Sequence, residues 1–497
     1  MKLKKLSKLM AVLLGAVLLV GCAAGNGGGT APAAPLADEP AVTDDATTDE
    51  ANDDEVGDDD ANGEEVALPE TTLDTDTVDI IRVWTDSTVD RDVRMEQAEI
   101  FNQTIGQELG IIVEYTVQGA DWHNLIRIAA QSGEAPQIFR PNGQFLPDFV
   151  EAGFFRPLTE VPGMEDFLAL YAGVPQVDSQ VQIFGDVFTL PFHLTTYKFA
   201  INRDIFDRNN LDIPASWDDV REAARIITEN GNGTEFGYGI GKQSLWSATT
   251  YITRQNQQNV GHFGFDNNAL RFDFSSMEPA FAALQGMVAD GSMFPGFEGM
   301  DAQAIGAQFV EGRIGIVAAA SFDVPNFDDA DINIEIIDIP TFDGGPRPFR
   351  QFADATNVFA MGENAFENER ILEKSRIVFE WLHSDEIGAA LFEAGSVIPF
   401  RQEAIDMAAS APVSKLVEFT IPPDDFIGMI PSIENMVSIE GMSFQETLMS
   451  IMAAGQTSSA AEILQELDDR MNAAMEAQFD ADFLELYRAP ATWDPTP

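Results

Sequence analysis

Aromatic, guanidinium and carboxylate side chains recur in this chain just beyond stretches that read as strands. Trp84 and Asp86 close the first such stretch, and Arg140 and Asn142 leave the third. Trp122 opens a helix close by. His193 and Tyr197 stand at the entry to a second block, with Trp246 and Arg254 further along it. Phe322 follows the strand-like run Ile314 to Ala318, and Asp354 precedes another at Thr356 to Met361. These groups suit reversible chemistry. Rings stack, carboxylates accept from O–H and N–H donors, and guanidinium groups donate in a planar fork. Signatures of bond breaking are missing: there is no G-x-S-x-G, no H-E-x-x-H and no Walker loop, and the 4 histidines show no ligand spacing. A pair of glycosidase carboxylates remains compatible with so acidic a chain. The residues predict no catalytic group, no metal and no cofactor. Trp217, at a helix start, reads as a packing residue and is left out of the set.

The elements that would hold these residues begin abruptly at the strand Ile80 to Trp84. A helix over Asp90 to Leu109 follows, with Val93, Phe101, Ile105 and Leu109 at helical spacing and Gly110 as its stop. Ile111 to Val117 is a β-branched strand, Trp122 to Gln131 a helix, and Gln137 to Phe139 a third strand. This βαβαβ order predicts a parallel sheet covered by helices, whose ligands bind beyond the carboxyl ends of the strands. In the second block, Lys198 to Ile201 reads as a strand. Ser216 and Asp219 read as caps for a helix over Val220 to Glu229, and Arg313 to Ala318 and Ile332 to Ile339 as short strands. A helix over Asn368 to Leu382 opens a helical C-terminal third, in which Ser459 and Glu462 form a capping box.

Charge and composition narrow the classes. The chain has 497 residues and a formal net charge of -54. Lys198, Lys242, Lys374 and Lys415 are the only lysines after the N-terminal basic cluster, so nucleic acid and anionic lipid headgroups are poor partners. Residues 23–79 are rich in Gly, Ala, Pro, Thr and acids, a composition that cannot bury enough apolar surface to offset its ordering entropy. They predict a disordered, self-repelling tether. Asp58-x-Asp60-x-Asn62-Gly63 starts like a calcium loop, but Pro69 stands where its closing Glu belongs. Ahead of the tether, Lys2, Lys4, Lys5 and Lys8 precede an apolar run from Leu9 to Val20. Leu19-Val20-Gly21-Cys22 resembles the lipobox of bacterial lipoprotein signal peptides. That resemblance implies that residues 1–21 are a signal peptide and that Cys22, the single cysteine, carries a lipid. The folded body would then sit at the outer face of a cell membrane, or at the periplasmic face where an outer membrane exists.

A longer resemblance starts at Gly185-Asp186-Val187-Phe188-Thr189-Leu190-Pro191. Ala200-Ile201-Asn202-Arg203-Asp204-Ile205-Phe206 is similar to a YNKDLF segment, and Asn210-Leu211, Pro214 and Ser216-Trp217-Asp218-Asp219 to GL-x-x-P-x-TW-D-E. Phe309 to Ile316, Pro340 to Gly345 and Ala394 to Arg401 match further segments in order. Together these resemble the family 1 extracellular solute-binding proteins of the maltose-binding type, the sugar and glycerol-phosphate receptors of ATP-driven (ABC) importers. Departures fall at Phe199-Ala200, in place of a usual Tyr, and at Ala353-Asp354-Ala355.

The resemblance implies an α/β, two-lobed periplasmic-binding-protein-like fold of class II type, with a ligand cleft between the lobes. Residues 80–194 plus 355–400 would form lobe 1, and 195–354 plus 401–497 lobe 2; residues 22–79 are the lipidated cysteine and tether. It implies a monomeric receptor, not an enzyme, that closes on a carbohydrate and delivers it to the transmembrane permease of an ABC transporter, touching the membrane only through its lipid. The ligand-binding set becomes Trp84, Asp86, Trp122, Arg140, Asn142, His193, Tyr197, Trp246, Arg254, Phe322 and Asp354. A sugar phosphate, uronate or peptide ligand, and a secreted glycan-active enzyme, stand as alternatives.

Overall fold

A computed structural model describes residues 76–496 apart from 120–121, 142–145, 172–181, 184–185, 412–413, 423–425, 428–432, 435 and 490–493. Glu70–Pro497 form one compact unit. The signal peptide, Cys22, the calcium-like loop and nearly all of the tether lie outside the described residues.

The strands, in chain order, are β1 (Asp79–Thr85), β2 (Ile111–Val117), β3 (Ile138–Phe139), β4 (Gln182–Ile183), β5 (Asp186–Val187), β6 (Thr189–Asn202), β7 (Phe236–Gly239), β8 (Phe265–Asp266) and β9 (Arg271–Phe272). They continue with β10 (Ile314–Ala320), β11 (Ile334–Ile337), β12 (Gln351–Met361), β13 (Ile398–Pro399) and β14 (Phe426–Ile427). The main sheet runs β2-β1-β3-β12-β6-β10-β7, with β11 and β13 added to β6 and β14 to β12. β4 with β5, and β8 with β9, make separate small ribbons.

Strands β6 and β12 are shared between two hydrophobic cores. β6 gives Leu190 and Phe192 to one core and Phe199, Ala200 and Ile201 to the other; β12 gives Phe359 and Met361 to the first and Ala353 to the second. The first core gathers Ile81, Val83, Ile111 and Val113 under Phe101 and Phe379. The second gathers Trp217, Phe281, Phe309 and Leu464. A smaller cluster around Trp122, Phe139 and Phe149 sits beside the first. Two strands that each serve two cores are a physical reason for a two-lobed body, because neither lobe can move without bending them.

Strand directions fix where the lobes meet. β1 pairs in parallel with β2 and β3, β3 is antiparallel to β12, and β12 is antiparallel to β6. β6 therefore runs the same way as β1 to β3. In the second lobe β10 opposes β6 and lies parallel to β7. The carboxyl ends of both parallel sets thus converge on the middle of β6, where Ala320 of β10 faces Tyr197 and Thr356 of β12 faces His193. Ligands of open α/β sheets gather at such ends.

Local signals explain most elements. Ser216 and Asp219 form a full capping box on helix Trp217–Asn230, and Ser459 and Glu462 form another on Ala460–Gln478. The helix expected over Asp90 to Leu109 divides instead into Arg91–Gln103 and Ile105–Leu109, broken at Thr104, and Gly110 ends it with a left-handed cap at φ 64°. The strand expected over Lys198 to Ile201 is the last part of the much longer β6. Lys374, fully buried on helix Glu369–Leu382, donates to the carbonyls of Thr77 and Gly110 and to Asp79 Oδ2, and so pins the start of β1. Arg370 of the same helix donates to Asp79 Oδ1 at 3.1 Å.

Candidate functional site

The first lobe presents Asp86 and Arg140 at the ends of β1 and β3. Arg140 Nη1 donates to Asp86 Oδ1 at 3.0 Å, and each side chain is 22% exposed. The Arg140 backbone N–H donates to the Trp84 carbonyl at 3.0 Å, which ties the two loops together. Trp84 is half-buried and packs against the small aromatic cluster. Trp122 belongs to that cluster and is 2% exposed, so its indole faces the core and offers no ring to a ligand. Behind this wall Arg94 Nε donates to Asp90 Oδ2 at 3.1 Å, and Ser87 Oγ donates to Asp90 Oδ1 at 2.6 Å. Burial pushes the Asp90 carboxyl up, but Arg94, Ser87 and His193 outweigh it and hold the group below the usual carboxylate range. His193, on β6, is driven down to about 4, chiefly by burial, with Asp90 opposing and Arg140 and Arg94 adding to the effect. It is neutral at neutral pH, and its Nδ1 is buried without a hydrogen-bond partner among the described residues.

The crossing strands carry the second group. Tyr197 on β6 donates its hydroxyl to Asp354 Oδ2 on β12 at 2.9 Å. Arg254, from helix Leu245–Val260 of the second lobe, reaches Asp354 Oδ1 at 3.5 Å. Its guanidinium lies over the rings of Phe263 at 4.2 Å and Phe352 at 5.0 Å. Burial raises the Asp354 carboxyl, partly offset by Arg254 and Tyr197, and burial together with Asp354 lifts the Tyr197 phenol far above its ordinary value.

The second lobe supplies an aromatic line and a third carboxylate. Tyr251 meets Tyr197 edge-on at 6.0 Å and Phe322 at 6.3 Å. Phe322, 43% exposed, follows β10 directly. Asp323 Oδ2 accepts from the Tyr251 hydroxyl at 2.7 Å and from the Ala320 backbone N–H at 2.8 Å. Burial pushes the Asp323 carboxyl up to about 6, against the pull of those two donors. Asp323, Tyr251 and Asn326 line a small crevice at the ends of β7 and β10.

Of the expected residues, the fold thus brings Asp86 to Arg140, and Tyr197, Arg254 and Asp354 to one another. Phe322 joins them through Tyr251, and His193 stands between the groups at mid-β6. Asn142 and the side chain of Trp246 lie outside the described residues. Tyr251, Asp323 and Asn326 went unread. Asp323 had a signal, since it stands one residue past Phe322 at a strand end, but acids are so common here that one more carried no information. Among the described residues no three His, Cys, Asp or Glu side chains are arranged to hold a metal ion.

The model of the bacterial extracellular solute-binding protein family matches residues 96–365, over half of the chain, and the chain belongs to that family. A binding protein of Brucella abortus is 22% identical over 318 residues, 61% of this chain and 72% of that one. The maltotriose-binding protein of Pyrococcus abyssi is 22% identical over 250 residues, 47% of this chain and 49% of that one. The GacH receptor of Streptomyces glaucescens, solved unliganded and with acarbose, shares the two-lobed α/β fold. Its TM-score is 0.60 at 16% identity, covering 80% of this chain and 98% of that one.

Proposed function

We propose that this protein is a lipid-anchored receptor that closes its two lobes on a carbohydrate and passes it to the permease of an ABC importer. The observation that carries the reading is the aromatic line Phe322, Tyr251 and Tyr197, set among Asp86, Asp323 and Asp354 where the carboxyl ends of both strand sets converge. Sugar rings present an apolar face and a rim of hydroxyls, and a ring floor with carboxylate acceptors matches both. The maltotriose-binding relative and the acarbose complex of GacH favour the same ligand class. Arg140 and Arg254 each face a carboxylate, which leaves little positive charge for a phosphate or uronate.

In this reading residues 80–194 with 355–400 form one lobe and residues 195–354 with 401–497 the other, and Cys22 carries the acyl chains. The receptor works as a monomer on the outer face of the membrane. No helix among the described residues is long and apolar enough to cross a membrane. The test is calorimetric titration of the folded body with neutral mono- and oligosaccharides, sugar phosphates and uronates, with product analysis alongside. Stoichiometric binding of a neutral sugar without turnover supports the receptor. Cleavage of a glycan, or binding confined to the anionic ligands, refutes it.

A further inference from the structure

The carboxylates near the converging strand ends are not equivalent. Asp86 has Arg140, Asp90 has Arg94 and Asp354 has Arg254 as cationic neighbours. Asp323 has none among the described residues: the groups acting on it are the Tyr251 hydroxyl and the Ala320 N–H, and both bind Oδ2. Oδ1 accepts no hydrogen bond from the described residues, and the side chain borders the open crevice. The crevice is otherwise short of polar groups. Ile240, Ile305, Val317 and Phe327 line it, and Asn326 is the other hydrogen-bonding side chain besides Tyr251. A Cβ added at Gly306, on its border, would meet nothing within 4 Å, so that side is roomy.

A carboxylate drawn partly out of water without a counter-ion costs free energy that a cation or a proton relieves. A neutral sugar ring presents hydroxyls around its whole rim and would leave most of them unpaired against this apolar wall. A single ammonium fits better. It finds its charge partner in Asp323, with the Asn326 amide and the Tyr251 and Phe327 side chains on the same lining.

We propose that the crevice at Asp323 is a subsite for a protonated amine, so that the solute is an aminated carbohydrate. This rests on the carbohydrate reading above and narrows it. The burial that holds the Asp323 carboxyl high is the same energetic debt that a bound ammonium would relieve.

The test uses matched pairs that differ only at the amine: glucosamine against glucose, and the glucosamine trimer against its fully N-acetylated form. Binding is measured by calorimetry at neutral pH and in high salt, where the long-range pull of the acidic surface is screened. In at least one pair the amine should bind about tenfold or more tightly, the size expected of a charge-assisted hydrogen bond. Asp323→Asn keeps both Oδ2 donors satisfied and should abolish that preference, costing the amine member at least tenfold more affinity than the neutral one. Asn326→Asp, which adds a second carboxylate to the crevice, should enlarge it. Equal binding within every pair, or an equal loss for both members in Asp323→Asn, overturns the amine subsite and leaves the carbohydrate receptor standing. No binding by either member of any pair, in a protein that also ignores the neutral oligosaccharides, refutes both.

Discussion

Replacing Arg254 by Met tests whether the crossing strands are held by charge. Arg254 comes from a second-lobe helix, whereas Asp354 lies on β12 and Tyr197 on β6. Met can still cover the Phe263 and Phe352 rings but leaves Asp354 with the Tyr197 hydroxyl alone. Breaking a buried ion pair by removing one partner costs about 3–5 kcal/mol. At 3.5 Å, with the two side chains 18% and 17% exposed, the lower end applies, about 3 kcal/mol. Most of that is the unpaired Asp354 carboxylate, so Asp354→Asn in the same background should recover about 2 kcal/mol. The sign with pH follows. Asp354 already titrates above its ordinary value through burial, and losing Arg254 raises it further. In the variant the folded state then binds a proton more readily than the unfolded chain, so stability rises as pH falls through the elevated value. Urea unfolding of the native chain, the two single variants and the double variant across pH supplies all four corners of the cycle. If the two substitutions add within about 0.5 kcal/mol, no coupling exists and the charge clamp is wrong.

Phe322→Ala should weaken carbohydrate binding about tenfold or more with little change in melting temperature, since the ring is 43% exposed; calorimetry and a thermal melt separate the two effects. Lys374→Met strips a donor from three acceptors at the start of β1 and should cost about 3–5 kcal/mol in urea unfolding. His383 is buried among Phe379, Phe192 and Phe359 and is driven down by burial to about 3, from 6.5. The unfolded chain therefore takes up this proton first, and the stability His383 contributes declines as pH falls below 6.5. Relative to His383→Gln, the native chain should lose about 2 kcal/mol between pH 6.5 and about pH 5, measured by unfolding at each pH; a flat difference refutes the assignment.

The parallel strands of the first lobe were legible because their sequences are dense in β-branched residues: the run Ile111 to Val117 is β2 to the residue. The capping boxes at Ser216 and Ser459 were legible because a cap is local chemistry. Only the end of β6 was, since Pro191, which has no N–H for a ladder, and His193 interrupt the strand signal of its first part; pairing with β12 and β13 holds that part in the sheet. The Thr104 break was hidden because Phe101, Ile105 and Leu109 keep the apolar period across it. At the site, pairs tied to strand ends, such as Asp86 with Arg140, could be guessed from order alone. Whether an indole faces a ligand or a core depends on what packs over it, and for Trp122 that is Phe139, Leu146 and Phe149, the latter two from a segment with no strand signal.

The lysine that fastens Thr77 and Asp79 also decides how the body takes mechanical load. β1 lies alongside β2 in register from Asp79 opposite Ile111 to Thr85 opposite Val117, with evenly spaced, slanted bonds. If the proposed tether carries load, that load meets the Lys374 contacts to Thr77 and Asp79 and the β1–β2 ladder before it meets β6 and β12.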